Sequence, residues 1–82
     1  MYTNEMIQKM IDTLSAANKN NCLYKKFFDS LGKINTLDYL AIMHVLQDGS
    51  YEAFDQFDSD VCESFIQIYE AAQKESEAEA EW

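Results

Sequence analysis

Apolar residues along this chain recur three and four positions apart in four separate runs, the spacing that lays a stripe along one side of a helix. The first run is Met6, Ile7, Met10, Ile11 and Leu14, with Ala17 behind it. It predicts a helix of roughly four turns, which Thr3 or Asn4 can cap. The polar cluster Asn18-Lys19-Asn20-Asn21 interrupts it, because such side chains compete for backbone hydrogen bonds, and Asn20 or Asn21 can cap the next helix. That second helix carries Leu23, Tyr24, Phe27, Phe28 and Leu31 and is predicted to end at Gly32 in a left-handed C′ position.

Asn35 or Thr36 restarts the pattern. Every residue from Leu37 to Leu46 except Asp38 and His44 is apolar, so this helix is expected to lie buried at the centre of its domain. Asp48-Gly49-Ser50 closes it, with Gly49 terminating one helix and Ser50 capping a short segment that carries Tyr51, Phe54 and Phe57. Asp60 and Glu63 then have the spacing of a capping box. The last stripe is Val61, Cys62, Phe65, Ile68, Tyr69 and Ala72. Beyond it no large apolar residue occurs until Trp82; helix propensity is high but nothing is left to pack, and the segment is expected to fray. The pattern therefore predicts an all-α fold, a compact bundle of four to five short helices. One domain spans residues 1–72 and an acidic C-terminal tail spans 73–82.

Composition agrees. A chain of 82 residues has room for a single core. No proline and only two glycines leave little of the turn chemistry that sheets need. At 48% hydrophobic and 13% aromatic residues, the chain should fold without a metal or a disulfide. Cys22 and Cys62 lack the CxxC spacing of a redox or zinc site, and no basic-led apolar segment opens the chain, so both read as reduced thiols of a cytoplasmic protein. No apolar run approaches the ~20 residues needed to cross a bilayer, which removes the membrane as a partner.

Catalysis is hard to assemble from these residues. His44 is the only histidine and sits beside Leu37, Leu40 and Ala41 in the most apolar helix, where a structural or rim role suits it better than that of a general base. Two stretches resemble EF-hand calcium loops. In the first, placing Gly32 at the invariant glycine puts Phe27 and Leu31 at ligand positions; in the second, starting at Asp58 and Asp60, Glu63 falls on the glycine position and Tyr69 on the terminal carboxylate. Neither loop has its full ligand set, so a degenerate EF-hand relative is a distant third reading. No cofactor and no metal is expected.

Charge is where the sequence has functional content. The net charge of −9 is uneven: residues 1–47 carry five lysines against four acids, whereas residues 48–82 carry eleven acids against Lys74 alone. The candidate acidic surface comprises Asp48, Glu52, Asp55 and Asp58, then Asp60, Glu63 and Glu70, placed three and four residues apart so that several can line one face. Like charges held that close are mildly destabilising within a helix, which argues for a role beyond solubility. There is no arginine, the side chain best suited to phosphate and guanine, and so no direct nucleic-acid binding is expected.

In its run of acids from Asp48 to Glu81, its small all-α pattern and its lack of a catalytic set, the chain resembles the small acidic host-takeover and anti-defence proteins of bacteriophages. Some of these mimic DNA and others plug a nucleic-acid channel. The resemblance implies a non-enzymatic inhibitor in the host cytoplasm that offers its acidic surface to a basic protein, such as a nucleic-acid-binding enzyme or complex. The alternative reading is a structural or adaptor module that binds a partner, or self-associates into a homo-oligomer, through an apolar groove.

Overall fold

Helices in this chain begin where a side-chain oxygen is free to take an orphan backbone N–H. In a computed structural model describing residues 2–18 and 20–80, without the side chains of Glu79 and Ala80, α1 spans Asn4–Ala16, α2 Cys22–Leu31, α3 Thr36–Asp48 and α4 Ser59–Ala80; a 3-10 helix, Tyr51–Gln56, joins α3 to α4. Lys19, Glu81, Trp82 and the Glu79 side chain, on which parts of the loop and tail expectations fall, lie outside the described residues. Met6 N donates to Thr3 Oγ1, Tyr24 N to Asn21 Oδ1, and Glu52 N to Ser50 Oγ, each at 3.2 Å. At α3, Asp38 N donates to Asn35 Oδ1 while Asn35 Nδ2 donates to Asp38 Oδ2, both at 2.9 Å, a reciprocal cap. No strand occurs among the described residues, and the fold is an all-α bundle.

The core forms where α2 meets α4, the most extensive helix pair. Phe27 and Leu31 from α2, and Val61, Phe65, Tyr69 and Ala72 from α4, are buried. The rings of Phe27 and Phe65 meet edge to face at 5.6 Å, and Phe54 from the 3-10 helix closes on Phe65 at 5.4 Å, arrangements that suit the aromatic quadrupole. From α1, Ile7, Met10, Ile11 and Leu14 complete this core.

Three expectations change. The helix apolar on all sides is not central: α3 buries only the arc of Ala41, Ile42 and Val45, and Leu37 and Leu40 stand 81% and 58% exposed. In so small a domain α2 and α4, with the larger aromatic stripes, take the centre, and the outer arc of α3 is left open among the described residues. Gly32 is not left-handed; it continues the right-handed helix at φ −66°, whereas Gly49 does adopt φ 81°. Asp60 does not cap α4, which starts at Ser59 and holds Asp60 in its first turn, where a carboxylate favours the positive helix end. Beyond its last buried residue, Ala72, α4 continues as helix. It runs on to Ala80 through Ala, Glu, Gln and Lys, all strong helix formers, which accounts for the 40 Å long axis against 26 and 24 Å for the others.

Candidate functional site

A 3-10 helix has three residues per turn, so residues three apart eclipse one another. In Tyr51–Gln56 this sets Tyr51 and Phe54 in line with Phe57 just beyond, and places Glu52 directly over Asp55 on the adjacent side. The two acids share a groove with Glu63 of α4, and Ile7, Phe54, Phe57 and Ile66 are among the apolar residues of its wall. No lysine among the described residues lines it.

The 3-10 helix is held in place by a residue that periodicity passes over. Gln8, at the edge of the apolar stripe of α1, donates from Nε2 to the Gly49 carbonyl at 2.8 Å and to Asp12 Oδ1 at 2.9 Å; its Oε1 accepts from Tyr51 N at 2.9 Å. One amide thus ties α1 to the turn that ends α3 and starts the 3-10 helix. A glutamine bordering an apolar stripe has no signature that separates this from simple solvation.

Beyond Phe57, which lines both, lies a second groove between α3 and α4. Leu37, Leu40, Ala41 and His44 form one wall, and Phe57 and Val61 face them. Asp38 and Asp58 sit at its rim. The His44 and Phe57 rings meet edge to face at 5.8 Å. His44 is exposed, and no hydroxyl or thiol among the described residues lines this groove beside it.

Of the seven candidate acids, all exposed, the structure gathers Glu52, Asp55 and Glu63 in one groove and places Asp58 on the neighbouring one. Asp48 ends α3, and Asp60 lies in the first turn of α4; neither lines these grooves. Glu70, about two turns beyond Glu63 on α4, instead accepts a hydrogen bond from the Tyr2 phenol. That bond, then partial burial and the carboxylate charge, raise the pKa of Tyr2 above its ordinary value. Burial alone raises that of Cys62, which lies in the first groove.

Neither stretch forms a calcium-ligand loop: Phe27 and Leu31 are fully buried within α2, and Ser59–Ala80 is helix. Among the described residues no group of three or more His, Cys, Asp or Glu could hold a metal ion. No described helix is long and apolar enough to cross a membrane. Set against models of known protein families, curated proteins and solved structures, the chain matches none.

Proposed function

We propose that this protein is a non-enzymatic inhibitor that binds a basic protein partner through its acidic surface, occupying a site that would otherwise hold nucleic acid. The observation that supports this most is the gathering of Glu52, Asp55 and Glu63 around one groove with an apolar wall and no lysine among the described residues. Carboxylates so placed attract a lysine- or arginine-rich surface and raise its rate of encounter. They repel phosphate, so the protein takes the place of nucleic acid and does not bind it. Its setting is the cytoplasm, where thiols such as Cys22 and Cys62, which line different grooves, stay reduced.

The test is kinetic. With a partner captured from the native host, association should slow steeply as salt rises, because screening shortens the reach of charge from about 10 Å at 0.1 M to about 3 Å at 1 M. Glu52→Gln, Asp55→Asn and Glu63→Gln together should slow association roughly tenfold at low salt without lowering the melting temperature. Excess DNA or RNA should compete for the partner. Removing residues 75–82 is the control for the tail and should leave binding in place. A triple variant that associates as fast as wild type at low salt rules this mechanism out.

A further inference from the structure

Leu37 and Leu40 are 81% and 58% exposed, and with His44 they stand at positions i, i+3 and i+7 of α3. This spacing makes a strip about two turns, or roughly 10 Å, long. Ala41 on its inner edge, with Phe57 and Val61 opposite, turns the strip into an open groove. Contiguous apolar surface with a polar rim is the mark of an interaction surface, because scattered single leucines on a small domain do not make grooves. The rim here is acidic. Asp38 is held by the Asn35 amide at 2.9 Å, Asp58 sits across the groove, and no lysine among the described residues joins them.

Resting on the basic-partner reading above, we propose that this groove docks a basic amphipathic helix of the partner, whose leucine-like side chains cover Leu37 and Leu40 while its lysines or arginines meet Asp38 and Asp58. Charge selects against a second copy of the chain: each carries −9, and pairing two such grooves would bring acidic rims together. An extended peptide would need a sheet edge, and no strand occurs among the described residues. A polyproline segment docks between rows of aromatic rings, whereas this groove has Phe57 with His44 alone beside it. A helix docks through anchors at i, i+3 or i+4, and i+7, the period the α3 strip itself presents, so the ridges of the two helices can interlock.

The probe is a fluorescein-labelled amphipathic peptide of about 18 residues, long enough to hold a helix, with leucines on one face and lysines on the other. Binding at low salt is followed by anisotropy, and its position by amide chemical shifts of the protein. Shifts are expected at residues 37–44 and 57–61, and Leu37→Ser with Leu40→Ser should weaken binding at least about tenfold while the variant still melts cooperatively, well above the temperature of the binding assay. If the double variant binds as tightly and the shifts fall on Glu52, Asp55 and Glu63, the docking site is wrong though the basic-partner reading stands. If a peptide with glutamine in place of every lysine binds as tightly in the same place, charge plays no part and both ideas fail. A wild-type dimer that the leucine variant turns into a monomer would make a second copy the occupant and overturn the proposal. So would a lysine peptide that does not bind at all.

Discussion

Truncating Phe65 and truncating Leu40 should have very different consequences, though both are large apolar residues at helical spacing. Phe65 is fully buried and meets Phe27 at 5.6 Å, Phe54 at 5.4 Å and Tyr69 at 6.3 Å, so Phe65→Ala removes the ring around which three elements close. Such a loss costs about 3–5 kcal/mol. At about 0.05–0.15 kcal/mol per residue, a domain of 82 residues has roughly 4–12 kcal/mol in total. The variant should therefore melt more than about 12 °C lower, at about 4–8 °C per kcal/mol, or fail to fold. Phe65→Leu keeps a measurable scale if it does fail. Leu40 is 58% exposed, so it realises less than half of the about 1.5–3 kcal/mol that full burial of a leucine provides. Leu40→Ala should cost under about 1 kcal/mol. Thermal melts by circular dichroism, paired with urea titrations to check that the transition stays two-state, would measure both. Equal losses at the two positions would refute the placement of α3, and with it the groove on its outer face.

Three further outcomes can be checked by the same melts. Gly49→Ala should destabilise by about 1–2 kcal/mol, because a Cβ at φ 81° meets no atom within 4 Å and the cost is that of the left-handed backbone alone; Gly32→Ala, at φ −66° with only ordinary contacts at 3.6 Å, should be neutral or gain up to about 1 kcal/mol. Gln8→Ala should cost about 1–2 kcal/mol by breaking two links to Gly49 and Tyr51, and amide exchange should quicken over residues 49–56. Tyr2 and Cys62 both have raised pKa values, so what they contribute is complete below their unfolded values of 10.0 and 9.0 and is lost as pH rises through the folded ones. The melting temperature should fall on the alkaline side, and less so in a Tyr2→Phe, Cys62→Ala variant.

Much of this was legible beforehand because it depends on local chemistry. The helix starts follow from Thr3, Asn21, Asn35 and Ser50, each with a free side-chain oxygen ahead of an apolar run, and the stripe Val61-Phe65-Tyr69-Ala72 could only face a core. What was not legible depends on which elements meet. Gly32 looked like a left-handed stop because its residue type permits one, but the backbone there had no need of it. The acids were visible as a run along the chain; that Glu52 and Asp55 would eclipse depended on their segment winding with three residues per turn, and that Glu63 would join them depended on how α4 crosses it. Gln8 was invisible because its partners, Gly49 and Tyr51, lie more than forty residues away.

A helix apolar on every side has two uses that periodicity cannot separate: burial on every side, or one arc for its own core and another for a partner. Here α3 gives the core Ala41, Ile42 and Val45, with Met43 and Leu46 half-buried against it, and the outer arc opens beside the carboxylates of Asp38 and Asp58. Phe57 joins that apolar groove to the one holding Glu52, Asp55 and Glu63, so a partner could engage both at once. The two surfaces should then act on different steps of one binding event. Charge works at a distance and sets how fast the partner arrives, whereas desolvated apolar contact forms only after docking and sets how long it stays. Neutralising the three acids should lower the association rate and leave dissociation nearly untouched, and Leu37→Ser with Leu40→Ser should do the reverse. Combining the two sets should then multiply their effects on the dissociation constant, with a coupling no larger than about 0.5 kcal/mol. If both sets change only dissociation, the acids are contact groups within the docked interface and not a steering field, and the protein would have to recognise a partner by fit alone.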